Sequence, residues 1–357
     1  MLHKPFYDPK KTYKENFNEG PFGAFSDGNV YKDKGQPKNE IFGHKVYLPF
    51  GIGAGPLLNG KFVKAAIEKG FDIVVYKTVR TREYPSNPFP NIVPLPVSVN
   101  LTINSMKKGI TPTSKYTNPL TITNSFGVPS FDPRFWQDDI KKIIKFLPKG
   151  KILIGSFQGT VEANSNQSRY IKDFAKAAKL VKESGCKVLE ANLSCPNEGS
   201  SHLLCFDIST STKVITEIKK IIGKTPLIVK ITYFEDKKQL ENLIQKIGHL
   251  IQGVAATNTI STKIIKRDGT QYLSGGPGRL WSGVGGKGIM WAGLEMVTEL
   301  NNLRNKYHLS YKIFGYGGVS SPKDYQKYKD AGADVVMSVG GSMWNPYLAQ
   351  EIKSKYL

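Results

Sequence analysis

The stretch Val188-Leu189-Glu190-Ala191-Asn192-Leu193-Ser194-Cys195-Pro196-Asn197 decides the fold. A short apolar run ends in a cluster carrying a hydroxyl, a thiol and two primary amides, and a proline stops the strand. A buried parallel strand giving way to a polar turn is how an α/β barrel presents chemistry at the carboxyl ends of its strands. One such turn is an ordinary capped strand end. The pattern gains weight because other strand-like runs of this chain end in the same way.

Upstream, residues 50–55, 72–77 and 151–156 read as strands one to three, and residues 188–194 as the fourth. Downstream, residues 226–230, 253–259, 312–315 and 335–339 read as strands five to eight. Helical spacing follows over 60–70, 135–146, 170–183, 209–222, 240–251, 292–305, 322–330 and 346–356. Eight alternations of apolar, β-branched strand and helix predict an α/β fold, a (β/α)8 TIM barrel. A doubly wound sheet is disfavoured, because no Gly-x-Gly-x-x-Gly follows the first strand. Residues 45–48 would close the barrel floor. Residues 1–44, rich in Tyr, Phe, Pro, Gly, Asn and Lys without sustained period, predict an irregular arm packed on the barrel by its aromatics. The division is therefore an arm (1–44) and a barrel (45–357), with insertions at the carboxyl-terminal face after strands two and six.

The 357 residues, 39% hydrophobic and 22% charged, suit one globular unit of this kind. No run is apolar enough to cross a bilayer or serve as a signal peptide, so no membrane partner is expected. Three cysteines without a disulfide framework point to a reducing, cytoplasmic setting. The net charge of +21 is scattered over helix-like segments, as at Lys141, Lys142, Lys145, Lys219, Lys220 and Lys224. That spread argues for solvated faces and against a nucleic-acid footprint.

The strand ends carry the chemistry. Strands seven and eight finish in Gly315-Tyr316-Gly317-Gly318 and Gly340-Gly341-Ser342, where barrels of this type commonly hold a phosphate on backbone N–H groups. Lys77 and Lys230 each end an apolar strand. A lysine in a barrel mouth either snorkels to solvent or faces an anion, and two above a phosphate site favour an anionic cofactor. Asn124, Asn192, Asn197 and Asn258 fall at strand ends or just beyond. Each amide offers a donor and an acceptor, so the set suits a heterocycle with alternating C=O and N–H, such as a pyrimidine dione. Cys195 can act as a base or nucleophile once deprotonated, whereas Cys186 and Cys205 read as packing. No Cys/His spacing suggests a metal site.

Asn192-Leu193-Ser194-Cys195-Pro196-Asn197, with Asn124-Ser125-Phe126-Gly127, Thr257-Asn258-Thr259 and the two glycine loops, resembles the dihydroorotate dehydrogenase family, FMN enzymes on a (β/α)8 barrel. The cysteine at 195 is similar to the soluble class 1 enzymes; the quinone-using class has serine there. The resemblance implies oxidation of dihydroorotate to orotate in pyrimidine biosynthesis, with Cys195 taking a proton from C5 while hydride passes from C6 to flavin N5. It assigns the pyrimidine to Asn124, Asn192, Asn197, Asn258 and Thr259. Lys77 and the backbone of Phe126, Gly127 and Val128 would face the substrate carboxylate. Ala54, Gly55, Lys77, Lys230, Gly286, Gly317, Gly318, Gly341 and Ser342 would hold FMN. A cytosolic homodimer reducing fumarate is the implied mode, and a partner subunit carrying electrons to NAD stays open.

Three departures stand out: the long arm, Met290-Trp291 where the family has lysine and proline, and the loop Glu198-Gly199-Ser200-Ser201-His202. A dihydropyrimidine dehydrogenase-like flavoenzyme is one alternative, although a histidine follows the proline there and this chain has Asn197. A non-redox phosphate-binding isomerase or synthase barrel is another, and it lacks the expected carboxylate base at several strand ends.

Overall fold

A computed structural model describes residues 2–96, 101–162, 166–194 and 203–357. Cys195, Asn197 and the loop through His202 lie outside the described residues. Eight parallel strands close into a barrel: β1 (Phe50–Ile52), β2 (Ile73–Val79), β3 (Ile152–Phe157), β4 (Val188–Asn192), β5 (Leu227–Lys230), β6 (Gly253–Ala256), β7 (Lys312–Tyr316) and β8 (Val335–Ser338). Each pairs with its neighbours in sequence, and β8 returns to β1 through Val336 opposite Phe50. All of their residues are buried save the half-buried Lys312, as a sheet covered on both sides requires. The predicted barrel is therefore present.

Eight helices cover it: α1 (Gly60–Glu68), α2 (Pro133–Phe146), α3 (Gln167–Glu183), α4 (Ile208–Ile222), α5 (Lys237–Ile247), α6 (Met290–Lys306), α7 (Pro322–Asp330) and α8 (Leu348–Tyr356). Six of them start at a side-chain cap: Asn59, Asp132, Asn166, Asp207, Asp236 or Ser321 accepts a bond from a first-turn backbone N–H.

Two insertions join above the carboxyl end. The excursion after β2 supplies the strands Ile92–Pro94 and Thr121–Asn124; the one after β6 supplies Ile260–Lys263 and Trp281–Gly286. Together they form one four-stranded antiparallel sheet, with Asn124 opposite both Gly283 and Ile92. This sheet carries Asn124 to the barrel mouth.

The first 44 residues are more ordered than their composition suggests. Thr12 and Glu15 form a capping box that starts a helix, Tyr13–Glu19. Aromatics do pack the arm down: Phe6 meets Phe25 and Phe62, and Phe17 meets Phe131. The hairpin Asn39–Ile41 and His44–Val46 plugs the floor, where Phe42 stacks on Phe314 of β7.

The same end holds a buried ion quartet. Lys151 lies 2.6 Å from both Asp33 and Asp72, and Lys353 is 2.5 Å from Asp72 and also meets Asp33. Arm, barrel and α8 are thus tied together. Removing one member strands an uncompensated charge, so Asp72→Asn should lower unfolding stability in urea by about 3–5 kcal/mol. A loss below about 1 kcal/mol would show that the quartet behaves like exposed pairs.

Candidate active site

Two adjoining compartments open at the carboxyl ends of the strands. The larger, about 900 Å³ including space open to solvent, runs past the glycines after β6, β7 and β8: Gly286, Gly317, Gly318 and Gly341. The smaller, about 510 Å³, is walled by Lys77, Thr78, Val128 and Asn192. Ala54, Gly55, Asn124, Phe126, Lys230, Asn258 and Thr259 line both. The groups that sequence assigned to a phosphate and to a heterocycle therefore sit side by side.

The amides are held in place before any ligand binds. Asn192 donates from Nδ2 to Oε1 of Gln158 (2.8 Å), just past β3, which turns its own carbonyl oxygen toward the Ser194 N–H (3.3 Å). Asn258, beyond β6, donates from Nδ2 to the carbonyl and hydroxyl of Ser194 (both 3.1 Å). Ser194 directly precedes Cys195 in sequence. Three strand ends thereby fix two carboxamides in one compartment.

Lys230 ends β5 beside Asn192 of β4 and lies buried over the ring of Tyr316, with Nζ 4.5 Å from the ring centroid. Burial pulls its ammonium pKa down, and Glu190 opposes that fall. No ion pair to Lys230 is present among the described residues, and Glu190 is the carboxylate whose charge reaches it. Lys77, also buried, ends a shorter reach, with Nζ 3.4 Å from the Thr78 carbonyl.

The turn that brings Phe126 and Val128 to the smaller compartment is fixed by Arg80, a residue without a sequence signal. Its guanidinium is fully buried and donates to the carbonyls of Gly127 (3.1 Å), Val128 (2.9 Å) and Gly159 (3.1 Å). Val128 has φ +53, a costly backbone for a β-branched residue, and these bonds help keep it there. Gly127 does not line either compartment; its φ of +76 makes the turn that presents Phe126 and Val128. Arg80 escaped notice because β2 runs two residues past Lys77, and an arginine after a strand gives no local sign of being buried.

At the glycine end, Gly318 has φ +70, and a Cβ there would sit 2.9 Å from the Gly286 carbonyl oxygen. Only glycine lets the loops after β6 and β7 meet. Ser342 is placed differently from expectation. Its hydroxyl donates to the Val339 carbonyl (2.8 Å) and its N–H to the Ser338 hydroxyl (3.0 Å), so both are committed inside the turn and it lines neither compartment. Met290 lies under Gly318, and Lys287 reaches Asp324 and the Met290 sulfur; Trp291 donates to the Leu101 carbonyl (2.9 Å).

Tyr7 had no sequence signal, and Thr257 entered only as part of the Thr257-Asn258-Thr259 motif. The cavity-lining hydroxyls of Thr257, after β6, and Tyr7, in the arm, are buried without a hydrogen-bond partner among the described residues. Cys186 and Cys205 are packing residues: burial pushes each thiol up to about 12, which leaves no thiolate near neutrality. Among the described residues no helix is long and apolar enough to cross a membrane.

The family model described as dihydroorotate dehydrogenase matches residues 37–356. A dihydroorotate dehydrogenase of Dictyostelium discoideum is 33% identical over 370 aligned positions, covering 98% of this chain and 97% of its own. A dihydroorotate dehydrogenase (quinone) of Nitrosomonas eutropha is 26% identical, covering 86% and 81%. The catalytic subunit of a dihydroorotate dehydrogenase B (NAD(+)) of Brachyspira hyodysenteriae is 25% identical, covering 71% and 77%. The crystal structure of an Eimeria tenella dihydroorotate dehydrogenase bound to ferulenol superimposes with a TM-score of 0.71 over 92% of this chain and 87% of that one, at 18% identity, and so shares the fold. With its family model spanning the barrel and a full-length relative at one-third identity, the chain belongs to the dihydroorotate dehydrogenase family, oxidoreductases that act on dihydroorotate.

Proposed function

We propose that this chain is a class 1, FMN-dependent dihydroorotate dehydrogenase whose base is Cys195. The observation that carries this reading is the pairing of compartments: a glycine-walled cavity shares Lys230 and Asn258 with a pocket whose polar wall is amide and lysine.

The residues present fit FMN. Loops where a Cβ would strike backbone leave room for a phosphate group against N–H donors, and a buried lysine lacks a carboxylate partner among the described residues. The partnerless Thr257 hydroxyl lies in the same wall. Gly286, Gly317, Gly318 and Gly341 would hold the phosphate, and Ala54, Gly55 and Lys230 the ring. FMN, when bound, supplies a hydride acceptor at N5.

The protein's own part is to bind, orient and remove a proton. Asn124, Asn192, Asn258 and Thr259, with Asn197, match the alternating donors and acceptors of the pyrimidine edge. Lys77 neutralises the substrate carboxylate, and Phe126 and Val128, set by Arg80, shape its berth. Cys195 takes the C5 proton, while Lys230 keeps a positive charge beside the cofactor. Fumarate is the acceptor, in a cytoplasmic homodimer.

The purified protein should be yellow, and orotate should perturb its flavin spectrum; an orotate-insensitive spectrum would remove the pyrimidine from this pocket. Because the thiolate is the active form, the rate of flavin reduction should be low in acid and rise with pH toward a plateau above roughly 8.5, the free thiol value. Stopped-flow rates that stay flat from acid to alkaline pH would count against a cysteine base.

A further inference from the structure

The family resemblance concerns the barrel, yet one residue of the cavity wall comes from outside it. Tyr7 belongs to the arm and lines the larger compartment. It is 1% exposed, and its hydroxyl has no hydrogen-bond partner among the described residues. Buried hydroxyls in native proteins are nearly always satisfied, so an orphan beside a cavity points to a partner supplied from the cavity. Burial also pushes the phenol far up, so it remains a neutral donor at any physiological pH.

The arm is fastened to the cavity's own wall. The backbone N–H of His3 donates to the Trp344 carbonyl (3.2 Å), and that of Phe6 to the Met343 carbonyl (3.1 Å). Met343 itself lines the larger compartment. Phe22 closes a second turn of the arm by donating to the Phe6 carbonyl (3.0 Å). On the other side the Tyr7 ring stands edge-on to Phe126, with centroids 5.5 Å apart and planes at 88°. Phe126 lines both compartments, so Tyr7 bridges the segment after β8 and the substrate loop.

We infer that the arm is a wall of the cofactor cavity and that the Tyr7 hydroxyl hydrogen-bonds the flavin nucleotide held there. The inference rests on the FMN reading. The long arm thereby gains a function, since its bonds to Trp344 and Met343 hold Tyr7 in the cavity wall, and a filled cavity supplies the partner its hydroxyl lacks.

Two measurements test it. FMN titrated into flavin-free protein should bind Tyr7→Phe about 3- to 10-fold more weakly than wild type, the worth of one hydrogen bond, with a shifted spectrum of the bound flavin. In the wild-type chain, FMN should slow trypsin cleavage at Lys10 and Lys11 by several-fold, a readout that needs no variant to fold. Wild-type affinity and an unshifted spectrum in Tyr7→Phe, with wild type still binding FMN, would overturn this inference alone. Equal cleavage with and without FMN would overturn the arm's part in the wall. A wild-type protein that takes up no FMN would remove the reading it rests on, and this inference with it.

Discussion

Cys195→Ala should leave FMN bound and slow flavin reduction by dihydroorotate by about 10²- to 10⁴-fold, the range that a positioned general base contributes. Binding survives because the groups assigned to FMN come from the segments after β1, β5, β6, β7 and β8, none of which needs the thiol. Among the described residues, the smaller compartment presents no carboxylate or imidazole that would take a proton. Gln158, Asn192 and Asn258 are amides with no basic lone pair at neutral pH, and Ser194 is engaged with Asn192 and Asn258. Cys195→Ser should fall between wild type and alanine, since an alkoxide is far harder to form than a thiolate. Stopped-flow reduction under anaerobic conditions gives the rates. A Cys195→Ala rate within threefold of wild type would assign the base elsewhere.

The second large effect is expected at Lys230. Lys230→Met keeps most of the side-chain volume but removes the buried charge that lies over Tyr316 and faces both compartments. A reduced flavin carries negative charge that a fixed cation stabilises, and loss of one preorganised donor of this kind costs about 10²- to 10³-fold in rate. The flavin should also become harder to reduce, visible as a lower midpoint potential in spectroelectrochemistry. An unchanged potential would mean that the ammonium serves structure alone. Lys230→Arg is a useful companion: it keeps the charge but replaces a compact ammonium with a planar fork.

Lys230 was readable because it is a polar side chain terminating an apolar strand. The barrel was readable for the same reason: every strand is one short apolar run, and all eight fall within a few residues of their predicted places. Helix starts read late by up to three residues, as at Gln167 and Lys237, because the caps Asn166 and Asp236 lie in polar stretches ahead of the first apolar position. The four-stranded sheet left no such trace. Its strands are three to six residues long, and Thr121–Asn124 finds its partner at Trp281–Gly286, across most of the barrel sequence.

The site divides along a similar line. Asparagines and glycines at strand ends announce themselves by position. Gln158 and Arg80 are held by burial and by partners remote in sequence, and nothing local marks them or the buried Tyr7. Gly127 and Ser342 line neither compartment. Each sits in a motif near the cavity, but one makes a turn and the other bonds back into its own turn. For Ser342, proximity in sequence to a glycine loop does not fix which way the side chain faces.

The central claim is that a flavin and a pyrimidine lie against each other in the paired compartments. An anaerobic titration of the purified, FMN-loaded protein with dihydroorotate tests this directly. Stoichiometric bleaching of the flavin, matched by the orotate released, is the predicted result. A flavin that stays oxidised in the presence of excess dihydroorotate would contradict the account.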